Sequence, residues 1–157
     1  MVKKKTKKIK NYNKKYKKNK IRGGAYMGKV KPTEPFHYDI PEGPGILNVD
    51  IWDELGIDRY TITSVTIPKG VTTIGVELFL NCFYLTQVEM QDTVTVIQKD
   101  AFRNCHELTD INISNSLKVF SPRCFLNCYE LTNITIPESV NMIGESAFGN
   151  CDKFTDI

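Results

Sequence analysis

Five cysteines and two histidines are the residues of greatest chemical reach in this chain of 157 residues. Four of the thiols, Cys82, Cys105, Cys128 and Cys151, each follow an asparagine and recur every 23 residues. Thiols ligate zinc, form disulfides or attack substrates. If successive units stack as coils, equivalent sulfurs stand in a line at the strand spacing, ~4.8 Å. A line cannot surround a tetrahedral zinc, whose ligands converge at about 2.3 Å. Neighbouring Cα atoms at that pitch fall inside the roughly 4.4–6.8 Å disulfide range, so distance alone permits bridges. Packing as small core thiols is the preferred reading, for Cys124 as for the other four. In the sequence His37 and His106 have no evident Cys or Asp partner set. No phosphate loop, nucleophile elbow or metal-spaced pair is present. No catalytic residue, metal site or cofactor is therefore expected, and the chain reads as a binding protein rather than an enzyme.

The elements that would carry these residues follow from the period. Ile62–Tyr84, Leu85–Glu107, Leu108–Glu130 and Leu131–Lys153 superimpose without a gap, and a fifth copy starts at Phe154. Apolar residues at the fourth and sixth positions, such as Val65 and Ile67, flank polar ones, the alternation of a half-buried strand. Pro68 and Pro137 end that strand because proline donates nothing to a ladder. Val71 and Ile74, with their equivalents, line a second inner wall. Phe79, Phe102, Phe125 and Phe148 point inward from a return segment read as a short helical turn. One copy cannot bury this set alone, so stacking of neighbours builds the core. The fold class is an α/β-type solenoid, a stack of 23-residue coils with a parallel β face.

The pattern of Leu131-Thr-Asn-Ile-Thr-Ile-Pro-Glu-Ser-Val140 and Ile143-Gly-Glu-Ser-Ala-Phe148 resembles the BspA-like, or Treponema-type, leucine-rich repeat, over residues 62–157. Gln91 and Gln98 depart from it in the second copy. Ser114, Ser121 and Cys124 depart in the third, where they bear on the convex turn and not on the strand. The resemblance implies a surface or interaction protein, of a kind found in bacteria, protists and large DNA viruses.

A protein partner is expected on the β face. Its outward residues are Ser64 and Thr66, Gln87 and Glu89, Asp110 and Asn112, Asn133 and Thr135. Thr63, Thr86, Thr109, Thr132 and Thr155 form a column beside them, which β-propensity alone would explain. Phe83, Tyr84 and Tyr129 precede the strands, as aromatic contacts or as cover for the coil edge. The Asn81, Asn104, Asn127 and Asn150 series is read as satisfying backbone groups of the turn.

Charge divides the chain. Twelve of the 21 basic residues lie in residues 1–22 with no acidic residue among them, leaving nine against 18 acidic ones and a net of −9. The basic set is Lys3, Lys4, Lys5, Lys7, Lys8, Lys10, Lys14, Lys15, Lys17, Lys18, Lys20 and Arg22. Like-charge repulsion and few aliphatic residues imply a disordered tail over residues 1–24, suited to nucleic acid, an anionic surface or nuclear import. Residues 25–45, with Pro32, Pro35, Pro41 and Pro44, read as an extended linker. Residues 46–61 read as an N-terminal cap outside the repeat frame, and the repeats occupy 62–157. Ile157 leaves an open strand edge, a site for self-association. No apolar run follows the basic start, so no signal peptide or transmembrane segment is expected, which points to a cytoplasmic or nuclear protein. The functional expectation is a protein-interaction scaffold with a polyanion-directed tail. Two alternatives stay open: a non-specific nucleic-acid-associated or packaging protein of a large DNA virus, which would be virion-associated, and a surface adhesin.

Overall fold

The computed structural model describes residues 31–42, 45–132 and 134–153. The tail lysines, Asn133 and residues 154–157 lie outside the described residues, as does the strand edge expected at Ile157.

Alternating burial builds the first layer. Strands β1 (His37–Asp39), β3 (Ser64–Ile67), β5 (Gln87–Met90) and β7 (Asp110–Asn112) form one parallel sheet in the order β1-β3-β5-β7. Val65 pairs with Val88, and Val88 with Ile111, so equivalent residues of successive copies stand in register. A second parallel sheet takes β2 (Gly45–Leu47), β4 (Val71–Ile74), β6 (Val96–Ile97), β8 (Val119–Phe120) and β9 (Met142–Ile143), in that order. The corner between the sheets closes the same way in every copy. The amides of Val71, Val94, Leu117 and Val140 donate to the carbonyls of Pro68, Gln91, Ser114 and Pro137. Replacing proline by Gln91 or Ser114 leaves the turn intact because the bond uses the carbonyl, not the ring.

The return segment is not helical. Glu77, Asp100, Arg123 and Ser146 have φ of 56°, 56°, 59° and 52°, and Asn81, Asn104, Asn127 and Asn150 have 61°, 61°, 63° and 55°. A left-handed residue every fourth position reverses the chain before a helix can propagate. Between them, alternate amides point to the next coil. Phe79 donates to Ala101 at 2.8 Å, Phe102 to Cys124 at 2.7 Å and Phe125 to Ala147 at 2.8 Å. A third ladder thus closes each coil. The third copy keeps this geometry, so its departures from the repeat pattern do not alter the convex turn. Gly144 meets a tight approach there: a Cβ would lie 2.5 Å from the nitrogen of Pro122.

The interior is continuous. Phe79, Phe102 and Phe125 are fully buried and stack with centroids 4.8 and 5.0 Å apart; Phe148, half-buried, continues the stack at 5.5 Å. Trp52, in α1 (Ile51–Leu55), packs edge-on against Phe79. Its indole N–H donates to the Leu78 carbonyl at 2.7 Å, and the Arg59 guanidinium reaches Glu77 and Leu78 carbonyls. These donors occupy the place that amides of a preceding coil would fill.

The boundary between linker and cap needs correction. His37 is in register with Ser64 and Ile46 with Thr73, so residues from Phe36 onward form a first coil, with a stride of 27 residues at the first strand. Prolines flank its strands at 35 and 41 without entering them, which is why proline content alone read as linker. Tyr38, Ile40 and Leu47 are its buried contributions.

Candidate functional site

The outward face of the first sheet gathers the residues singled out above. Gln87, Glu89, Asp110, Asn112 and Thr135 are exposed there, and Ser64 and Thr66 are half-buried. Register places Gln87 beside Asp110 and Glu89 beside Asn112. Two shallow depressions adjoin on this face. Gln87, Glu89, Gln91, Asp110 and Asn112 line one, and Asp110, Asn112, Asn115, Thr135 and Pro137 line the other. Asn112 also has a structural task. Its amide accepts from the Met90 N–H at 2.8 Å and donates to the Met90 carbonyl at 3.2 Å, continuing the ladder where β7 ends. Among the described residues Glu89 and Asp110 have no ion pair, whereas Glu107 and Glu130 pair with Lys31 and Lys153.

Two polar columns hold coils together. Thr86, Thr109 and Thr132 hydroxyls donate to the carbonyls of Thr63, Thr86 and Thr109 at 2.9, 3.2 and 3.4 Å. The threonine column is therefore more than a matter of strand propensity. The asparagines bond one another and not the turn backbone: Asn104 donates to Asn81, Asn127 to Asn104 and Asn150 to Asn127, each at 2.7 Å. Their left-handed φ explains asparagine rather than glutamine, since Asn tolerates that conformation and still reaches its neighbour.

The thiols are core. All five cysteines are free and buried. Cys105, Cys128 and Cys151 Sγ donate to the carbonyls of Phe79, Phe102 and Phe125 at 3.3, 3.2 and 3.2 Å. Burial pushes the thiols of Cys105, Cys124 and Cys128 well up, and that of Cys151 to about 11. A thiol held neutral is a poor nucleophile and a poor metal ligand. No set of three His, Cys, Asp or Glu among the described residues is arranged to hold a metal ion.

His37 is not as isolated as the sequence implied. Its Nδ1 lies 2.8 Å from Ser64 Oγ, and its Nε2 lies 3.1 Å from Asp39 Oδ1 and 3.2 Å from Thr66 Oγ1. A Ser-His-Asp contact needs converging N–H donors to stabilise an oxyanion. Here the amides of Thr63 and Ser64 both donate to the Phe36 carbonyl. The arrangement supports fastening of β1 to β3 across the sheet. Sequence reasoning missed it because His37 and Ser64 meet only through the irregular stride of the first coil. His106 lies between Phe83 and Tyr129 with centroids 4.9 Å apart on each side and the rings tilted by 41° and 39°, and desolvation lowers its pKa. Tyr129 is 37% exposed and Tyr84 half-buried, so the aromatic column covers the coil edge and presents Tyr129 outward.

Registered parallel coils, an inner stack of phenylalanines and an asparagine ladder define a leucine-rich-repeat solenoid. The chain belongs to the BspA type leucine-rich-repeat family, whose model, a region of six copies, matches residues 58–157. Solved structures similar to it include the following three. The T. pallidum leucine-rich-repeat protein is 25% identical with a TM-score of 0.68, over 76% of this chain and 56% of that one. A leucine rich cell surface protein from Faecalibacterium prausnitzii is 36% identical with a TM-score of 0.56, over 59% and 24%. A leucine-rich repeat protein from Bacteroides ovatus shares the fold at 23% identity and a TM-score of 0.62, over 75% and 35%. The chain thus spans about half or less of the length of these neighbours. No curated protein matches it in sequence. Among the described residues no helix is long and apolar enough to cross a membrane.

Proposed function

We propose that this protein is a non-enzymatic interaction scaffold whose outward β face binds a protein partner through Gln87, Glu89, Asp110, Asn112, Asn133 and Thr135, flanked by Tyr84 and Tyr129. The observation that carries this reading is the pair of exposed carboxylates, Glu89 and Asp110, without cationic partners among the described residues, on a face whose other polar columns serve the fold. The threonine and asparagine columns are bonded from coil to coil. These two carboxylates are not, so they are available to a second molecule. Solenoids commonly present such regular faces to partners. In the same reading the basic residues between Lys3 and Arg22 contact a polyanion, nucleic acid or an anionic surface, in the cytoplasm or nucleus.

Affinity capture with the full chain tests the face. Proteins retained by the wild type and lost by a Glu89→Lys/Asp110→Lys variant, with unchanged melting, support it; identical retention refutes it. A second reading, a surface adhesin, draws support from the cell-surface F. prausnitzii neighbour. Labelling of intact cells with an impermeant reagent separates the two. Labelled protein supports the adhesin, and label confined to lysed cells supports the intracellular scaffold.

A further inference from the structure

The face just described carries carboxylates and amides but no cation. Its outward side chains from β3 to β7 are Ser64, Thr66, Gln87, Glu89, Asp110 and Asn112, without a lysine or arginine. Glu89 and Asp110 are diagonal neighbours on adjacent strands, given the pairing of Gln87 with Asp110. Two like charges so placed repel, and a cation set between them would relieve both.

The course of the chain says which cation can arrive. Residues 37–39 sit in the first coil, yet Lys31 Nζ lies 2.6 Å from Glu107 Oε2, two copies further along the stack. The N-terminal segment therefore runs back along the solenoid and brings residue 31 beside the loop that feeds β7. Asp110 follows Glu107 by three residues. Upstream of Lys31 stand Lys29 and then the twelve cations of residues 1–22. The eight residues between Arg22 and Lys31 span up to about 30 Å extended, which exceeds the few strand spacings separating Glu107 from Glu89. Tethering makes the encounter intramolecular, with an effective concentration in the millimolar range.

We infer that the β face binds a lysine-rich extended segment, and that its resident occupant is this chain's own Lys3–Arg22. The inference rests on the face being the interaction surface and identifies what covers it. A polyanion and the face then compete for the same lysines. Binding of a polyanion to the tail uncovers the face, and neutralising the face frees the tail. Because linkage is reciprocal, the coupling must be measurable from either side.

The test uses the full chain. Zero-length carbodiimide coupling at low salt, followed by peptide mapping, should join lysines of residues 3–20 to Glu89 or Asp110 within one molecule. Mixing isotope-labelled and unlabelled protein identifies links between molecules. Inorganic polyphosphate then reports the competition. A Glu89→Gln/Asp110→Asn variant should bind it roughly 5-fold or more tightly than wild type, and the difference should vanish at high salt. Links only between molecules, links only to other acidic residues, or unchanged polyphosphate affinity would each overturn the inference. Partner capture that ignores the face variants would instead refute the scaffold reading, leaving the intramolecular links as they are.

Discussion

Removing the ring of Phe102 is the sharpest challenge to the stacked interior. The side chain is fully buried, parallel to Phe79 at 4.8 Å and to Phe125 at 5.0 Å. Phe→Ala changes at such sites cost about 3–5 kcal/mol through lost burial and the cavity left behind. Two stacked faces, each contributing about 0.5–1.5 kcal/mol beyond area, place Phe102→Ala in the upper half of that range. Phe148 is half-buried, stacking against Phe125 with Phe120 edge-on. Its alanine variant should cost about 1–3 kcal/mol. Urea unfolding followed by far-ultraviolet circular dichroism measures both. The single tryptophan, Trp52, packs on Phe79 and reports the first coil separately. In a one-dimensional stack the Phe102 lesion weakens the interfaces on both of its sides. Trp52 fluorescence and circular dichroism should therefore part in Phe102→Ala and coincide in wild type. Equal losses at the two sites, or a Phe102→Ala cost below about 1.5 kcal/mol, would refute the reasoning.

The coil-to-coil polar bonds make further predictions. Asn104→Ala removes the bonds to Asn81 and Asn127 and puts a Cβ-bearing residue at φ 61° without local hydrogen bonding. It should cost about 2–4 kcal/mol by urea unfolding, and Asn104→Gly should recover about 1 kcal/mol of that. Trp52→Phe keeps an aromatic ring but deletes the donor to Leu78, which Arg59 also reaches. Combined with Arg59→Leu it should destabilise by more than the two single changes together, as a double-mutant cycle would show. Burial raises the pKa values of Cys105, Cys124, Cys128 and Cys151 above that of an ordinary thiol. The unfolded chain releases these protons first, so their contribution is intact below about pH 9 and is lost as pH climbs towards the folded values. The urea midpoint should fall across that window, and less steeply once Cys105, Cys128 and Cys151 are replaced by alanine.

How much of this was legible depended on whether a feature repeats. The strand, the second wall and the phenylalanine stack were readable because Val65, Val71 and Phe79 each recur at a fixed interval. The asparagine column was visible, but its chemistry was assigned to the turn backbone, and only the geometry of Asn104 between its neighbours shows that these residues bond one another. The left-handed residues at Glu77, Asp100, Arg123 and Ser146 had no shared side chain to betray them, so the return segment was misread as helical. The buried Asp100, held by Arg123 through two bonds of 3.0 and 2.9 Å, likewise occurs once and leaves no periodic trace. The first coil escaped because its longer stride breaks the frame, and with it went the contact of His37 with Ser64. For the candidate site, alternation alone placed Glu89 and Asp110 on the outward face. It could not show that Asn112 is committed to Met90.

Disulfide trapping on the β face tests the registered stack most directly. Gln87 and Asp110 are paired residues on neighbouring strands, whereas Asn112 lies two residues further along. With Gln87→Cys and Asp110→Cys in one chain, the Cα atoms stand at about the strand spacing, ~4.8 Å, inside the bridging range. With Gln87→Cys and Asn112→Cys they stand at roughly 8 Å, outside it. The native thiols are buried and leave the readout clean. Mild oxidation should close the first pair within one molecule and leave the second open. Equal closure of both pairs, or closure of the second alone, would contradict the register on which the fold and the binding face depend.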